Sequence, residues 1–271
     1  MRRVSLVIGA GCVALVVLLA LVALFWTPYD PLQVQAAQAL AGPGAGHLLG
    51  TDGFGRDIFS QLLVGARICL LVGIVSVGIG ALVGVPLGIW AGMVAGRAGR
   101  AIMRCSDVLY AFPALLLAIL LAAARGSAST ATAMVAIGVS TVPAFARVAH
   151  GATRGVMSRD FVAAARASGI GWPAIAARHV LANIAPLVLV QTSTSFGLAI
   201  LAEAGLSYLG VGTPPTTPSW GRMLYDAQKY IYQAPLQLLW PGLLIAVAVL
   251  GFNLLGDGLR DALDPRLRAV S

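Results

Sequence analysis

Charge is what this sequence has least of. Lys, Arg, Asp and Glu make up 10% of its 271 residues, where a soluble domain usually carries about 25%. With 59% hydrophobic residues as well, a water-soluble globular domain is excluded as the reading. Lysine is almost missing, and the single one, Lys229, follows Gln228. A P-loop needs Gly-x-x-x-x-Gly-Lys-Ser/Thr, because its lysine neutralises the bound phosphates, so no ATP site is expected in this chain. Only three cysteines occur, Cys12, Cys69 and Cys105. Odd in number and without metal-ligand spacing, they read as small packing residues. His47, His150 and His179 are scattered, with no i, i+4 pair and no carboxylate cluster nearby. Neither a metal centre nor a catalytic centre is expected, and an enzyme is a poor reading.

The few charges that are present divide the chain into long uncharged stretches. Val4–Trp26 is one, and others lie between Arg67 and Arg97, Asp107 and Arg125, and Arg125 and Arg147. Two more are bracketed by Arg178 and Glu203 and by Lys229 and Asp257. Each is at or above the roughly 17–25 residues that a helix needs to cross a ~30 Å hydrocarbon core. None alternates as a barrel strand would, so helices must satisfy the backbone. The expectation is an all-α integral membrane protein with six transmembrane helices. The first run begins at Arg2 and Arg3 and ends in Phe25 and Trp26. It is too long for a signal-peptide core and reads as a retained helix with an aromatic anchor, a cleaved leader being the lesser alternative.

Basic residues set the expected orientation. With the N-terminus inside, thirteen of them fall on inner segments, from Arg2 and Arg3 through Arg97–Arg104 and Arg147–Arg178 to Arg260–Arg268. Arg56, Arg67, Arg125, Arg222 and Lys229 fall outside. The positive-inside rule then puts both termini in the cytoplasm, and the net charge of +8 suits an anionic inner leaflet. Basic residues never gather with aromatics on one soluble face, so nucleic acid is not an expected partner. A proton- or ion-coupled carrier keeps ionisable groups within its helices. Asp107 and Glu203 are the candidates, and both are expected at water-accessible helix ends in capping or local hydrogen-bonding roles.

Expected spans are Val4–Trp26, Ile68–Ala95, Val108–Ala124, Thr130–Ala146, Val180–Ala202 and Leu236–Gly256. Asp57 is a candidate cap for a short outer helix running toward Arg67. Gly80, Gly84, Gly88 and Gly92 recur every four residues in the second span. They share one helical face and predict close packing of another helix, as small-xxx-small motifs do. A gliding surface in a moving transporter is the alternative.

The longest inner connection, about 158–183, holds a helix former at Phe161–Ala167, breakers at Gly169 and Gly171, and Pro173 at a second helix start. A short helix–turn–helix follows, with Phe161, Ile170, Trp172 and Ile175 available for apolar contact. Physical reasoning leaves two readings open. The hairpin lies on the bilayer, or it docks as a rigid knob into a groove of a soluble partner.

In this region the sequence resembles the cytoplasmic "EAA" loop of ABC-importer permeases of the dipeptide/oligopeptide/nickel family. That loop reads approximately Tyr-Val-Glu-Ala-Ala-Arg-x-x-Gly, then Arg-His-Ile-Leu-Pro-Asn. Phe161, Val162, Ala164, Ala165, Arg166 and Gly169 match the first part, and Arg178, His179, Leu181 and Asn183 the second. Ala163 stands in place of the family glutamate and Ala182 in place of the proline. Four more stretches are similar to the family's "C"-type permease. They are His47-Leu-Leu-Gly-Thr-Asp-Gly-Phe-Gly-Arg-Asp57, Ser-Asp107-Val-Leu-Tyr-Ala-Phe-Pro113, Glu203-Ala-Gly-Leu-Ser-Tyr-Leu-Gly with Ser219-Trp-Gly221, and Asn253 to Arg266.

The resemblance implies a type I ABC-importer permease bundle in a bacterial inner membrane. It implies an N-terminal helix with an external segment (1–67), a five-helix permease core (68–256) and a cytoplasmic tail (257–271). Its partners would be membrane lipid, a second homologous permease, two ATPases and an extracytoplasmic solute-binding protein, with ATP and Mg held by the ATPases. Phe161, Val162, Ala163, Ala164, Ala165, Gly169, Trp172 and Pro173 would couple to the ATPases. Asp52, Arg56, Asp57, Tyr208 and Trp220 would face the binding protein. The solute would be a dipeptide, an oligopeptide, a metal chelate or haem-like cargo, passing between two permeases. A self-sufficient secondary carrier or channel is the competing expectation.

Overall fold

Every long apolar run becomes helix in the computed structural model, which describes residues 2–44, 46–94, 96–126 and 129–263. The helices are α1 (Arg2–Phe25), α2 (Ile58–Met93), α3 (Arg97–Tyr110), α4 (Ala114–Arg125), α5 (Thr130–Met157), α6 (Asp160–Ala167), α7 (Trp172–Tyr208), α8 (Trp220–Ala227) and α9 (Leu236–Leu263). Five of them, α1, α2, α5, α7 and α9, are individually long and apolar enough to span a membrane. The sixth expected span is a broken one. α3 and α4 meet at 81°, because Pro113 supplies no N–H and disfavours helical backbone at Phe112. Residues 264–271, most of the expected tail, lie outside the described residues, and 257–263 continue α9 as helix.

Several helices are longer than charge spacing suggests. α2 begins at Ile58, where the Asp57 carboxylate accepts from the Ser60 N–H and hydroxyl, both at 2.7 Å. It continues through Arg67, whose guanidinium reaches the Ala23 carbonyl at 3.4 Å. The separate short outer helix is therefore the first turns of α2. At about 54 Å, α2 outruns the hydrocarbon core. α5 passes Ala146 for a similar reason. Arg147 and Arg154 lie off its packed face, while Ala149, Thr153 and Val156 stay buried. α7 starts at Trp172 and passes through a π-helical stretch at Ile175–Leu181 before resuming as α-helix.

Two apolar clusters hold the bundle. The larger joins α2, α5, α6 and α7 around Val72, Ile137, Phe145, Val162, Ile175 and Ile184. The smaller joins α1, the start of α2, the far end of α7, α8 and α9 around Val16, Leu62, Ile200, Trp220 and Phe252. Since lipid is as apolar as these side chains, close backbone approach must supply the adhesion. A methyl group added at Gly84 would lie 2.5 Å from the Val142 carbonyl. One at Gly88 would meet the Ala146 carbonyl, and one at Gly92 would lie 2.7 Å from Thr153. Gly80 is filled by Thr141, so all four glycines pack on α5. Gly9, Gly251 and Gly258 do the same between α1 and α9.

Candidate functional site

At one end of the bundle, α5 turns through Ser158 and Arg159 into α6, and the chain returns through 168–171 into α7. Val162 belongs to the larger cluster and fastens α6 to the bundle, and Ala165 on the same side of α6 is buried too. The turn is closed by Gly169 N–H to the Arg166 carbonyl at 3.0 Å and Ile170 N–H to the Ala165 carbonyl at 3.1 Å. Gly169 takes φ +80°, a left-handed conformation that strains any residue with a Cβ.

Outside this anchored core lies an exposed surface. Phe161 is 39% exposed, Ile170 38% and Trp172 47%, with Ala163, Ala164 and Pro173 exposed alongside. The Arg166 guanidinium stacks over Trp172 at 4.7 Å, and Phe161 lies against His179 with ring centroids 6.1 Å apart. Two expectations need correcting. Ile175 is buried at 1% exposure and belongs to the core. The second helix of the hairpin is no separate element but the first turns of α7. Of the eight expected coupling residues, six are exposed, while Val162 and Ala165 support them from beneath.

The opposite end carries the 26–57 and 209–235 segments, joined by an ion network. Arg56 donates to Asp52 at 2.6 Å and to Asp226 at 3.0 Å, and Arg222 lies 3.1 Å from the same Asp226. Gln61 donates to Asp52 at 3.1 Å, and Gln237 to the Thr51 carbonyl at 3.0 Å. Trp220 is 1% exposed, and its indole N–H donates to the Leu62 carbonyl at 3.0 Å. A methyl at Gly65 would lie 2.5 Å from that ring. Asp52, Asp57 and Trp220 are therefore buried, and Arg56 is mostly spent inside the network. Among the five expected outward-facing residues, Tyr208 alone presents a largely free surface, at 40% exposure. The outward groups that sequence reasoning missed are Leu48, Phe54, Leu209 and Tyr232. Their signal was an apolar residue inside a turn-rich, polar segment.

Glu203 is not at a water-accessible end. It is 3% exposed, and its Oε1 accepts from the Ser207 hydroxyl at 2.7 Å and the Thr213 hydroxyl at 3.0 Å. Ser207 in turn accepts from the Thr213 N–H at 2.8 Å. The carboxylate thereby pins the 209–213 turn onto α7. Asp107, by contrast, is exposed and paired with Arg147 at 2.8 Å. Among the described residues, no group of three His, Cys, Asp or Glu is placed to hold a metal ion.

Comparison with known proteins places these two ends in context. Residues 84–269 match the family described as binding-protein-dependent transport system inner membrane component. The chain is 42% identical to the glutathione transport system permease protein GsiD of Pectobacterium atrosepticum, over 98% of this chain and 89% of that protein. It is 38% identical to the dipeptide transport system permease protein DppC of Alkalihalophilus pseudofirmus, over 97% and 86%. The nickel transport system permease protein NikC of Escherichia coli K12 is 37% identical, over 98% and 94%. Among solved structures, an inward-facing MetNI methionine ABC transporter chain superposes with a TM-score of 0.61, over 78% of this chain and 96% of that one. At 19% identity, that likeness is one of fold.

Proposed function

Because the chain belongs to the family of binding-protein-dependent transport system inner membrane components, we propose that it forms half of the path by which a short peptide or similarly sized solute enters a bacterial cell. It is an inner-membrane permease subunit of an ABC importer, and such a permease works with ATPase subunits and a further permease. Two such ATPases, holding ATP and Mg, and a second homologous permease would complete the complex. Membership of this family supports an energy source in those partners and disfavours the self-sufficient carrier.

The exposed patch on the 158–172 hairpin carries the coupling reading. Its outer surface is aromatic at Phe161 and Trp172 but small at Ala163 and Ala164. A face meant to sink into lipid gains from bulky apolar residues flanked by cations, and two alanines gain little. Small residues between aromatic anchors suit close approach by a groove in a partner. Val162 and Ala165, locked into the core, let a push on this patch move α5 and α7 together. Solute crosses with ATPase motion delivered here, while the 26–57 and 209–235 platform meets a solute-binding protein through Phe54, Tyr208 and neighbouring apolar groups.

Phe161→Asp and Trp172→Asp test the coupling reading. Each should lower ATPase co-purification roughly 30-fold, as loss of an aromatic interface anchor does, and abolish uptake of a labelled dipeptide. Neither side chain is in the core, though each loses one ring contact, so stability should fall by no more than about 1 kcal/mol. Full ATPase recovery with either variant would sink the assignment. Orientation has its own measurement. Alkaline phosphatase fused after Gly212 should be active and fused after Asp160 inactive, and the reverse pattern would invert the topology.

A further inference from the structure

A cavity of about 590 Å³ opens at the hairpin end between α2, α3 and α5. Among the described residues its walls carry Arg100, His150, Arg154 and Ser158 and no carboxylate. Glycine makes the narrow wall possible, since a methyl at Gly99 would lie 2.5 Å from the Ala91 carbonyl. Among the described residues neither Arg100 nor Arg154 belongs to an ion pair. Arg100 has a long 3.3 Å contact from Nε to the Gly96 carbonyl, which leaves its terminal nitrogens uncommitted to it. Arginine forks favour phosphate oxygens, and His150 lies beside them with ring nitrogens able to donate, whereas the Ser158 hydroxyl is already given to the Gly155 carbonyl at 3.0 Å.

A second cavity of about 1000 Å³ shares Met93, Val94 and Met157 with the first; Ile89, Trp90 and Leu181 line its apolar part, and Arg166, Trp172 and Pro173 of the hairpin patch line it as well. A donor-lined chamber beside an apolar groove is a site for an amphiphile. The geometry points to a bound anionic glycerophospholipid of the inner leaflet, its phosphate at Arg100 and Arg154 and an acyl chain along the Ile89–Trp90 groove. This rests on the proposed orientation, which puts the cavity at the leaflet rich in anionic lipid. A phosphate ester is the chemistry recognised. The apolar groove favours lipid over free phosphate as its source.

The test uses the whole importer complex in nanodiscs of mixed phosphatidylglycerol and phosphatidylcholine, with lipid retention read by native mass spectrometry. The wild type should retain phosphatidylglycerol in preference to phosphatidylcholine. Arg100→Gln combined with Arg154→Gln should lower that retention roughly tenfold to thirtyfold, from the loss of two surface cations. Arg104→Gln, on the exposed side of α3 and outside the cavity wall, should leave it unchanged. Arg100→Lys with Arg154→Lys keeps both charges without the fork and should restore part of it, which separates a lost site from a misfolded bundle. Retention unchanged in the double Gln variant, or lost equally in Arg104→Gln, overturns the proposal. So does inorganic phosphate binding equally well in discs of phosphatidylcholine alone, which would assign the site to a free anion. Failure of the orientation itself shows separately in the phosphatase fusions.

Discussion

Gly84→Ala and Gly88→Ala should each destabilise the bundle by about 3 kcal/mol, the upper part of the range for overpacking a close-packed contact, whereas Gly78→Ala should be neutral or mildly stabilising. All three lie within α2, and Ala is favoured over Gly in a helix by up to about 1 kcal/mol. The difference is what the new methyl meets. At Gly78 nothing lies within 4 Å, at Gly84 the Val142 carbonyl is 2.5 Å away, and at Gly88 the Ala149 Cβ is 2.7 Å away. Backbone cannot swing aside as a side chain can, so α2 and α5 must separate along several turns. That separation forfeits the dispersion contacts on which helix association in lipid depends. Thermal unfolding in detergent, read by circular dichroism, decides it. Equal midpoints for the Gly78 and Gly84 variants would refute the close-contact account.

Glu203→Ala should cost about 3 kcal/mol and should act locally before it acts globally. The Ser207 and Thr213 hydroxyls both donate to the Glu203 carboxylate, and both residues are buried, at 0% and 1% exposure. Stripping the acceptor leaves two buried donors unmade, at about 1–3 kcal/mol each, less whatever a water in the vacated volume recovers. Ser207 also holds the Thr213 N–H, so the 209–213 turn should loosen first. Hydrogen exchange at Gly212 and Thr213 should accelerate while amides in the middle of α5 stay protected. Glu203→Gln keeps an acceptor oxygen and should recover about half the loss. Uniform exchange across the whole chain would mean that Glu203 is a global determinant rather than a pin for one turn.

Helix existence was legible in the sequence, and helix ends were not, for a reason visible at particular residues. Reading a charge as a boundary works at Arg97 and at Arg125, where helices do begin or end. It fails at Arg67 and Arg147. Long stems let these guanidiniums reach the Ala23 carbonyl and Asp107 from within a continuing helix. The 81° break near Pro113 interrupts a run that hydropathy alone treats as one span. Motif resemblance singled out the segments at the two ends of the bundle but misjudged which of their side chains face outward. Asp52, Asp57 and Trp220 are spent inside the fold, and Trp220 is buried partly because Gly65 leaves it room. A glycine two turns into a helix does not announce the ring that fills it. Ala163 and Ala164 carried the opposite lesson, since their small size is itself the surface property.

The π-helical stretch at Ile175–Leu181 sits between the exposed hairpin and the part of α7 that packs through Ser193, Ser195 and Gly197. Each residue of an α-helix advances the chain by about 100°, so a π-turn, holding more residues per turn, resets the angular phase between the two portions. Val162 beneath α6, with Ile175 and Val180 in the core, hold the chain on both sides of this stretch, so removing one residue within 175–181 would put the two portions of α7 about 100° out of phase and unseat one of them from the bundle.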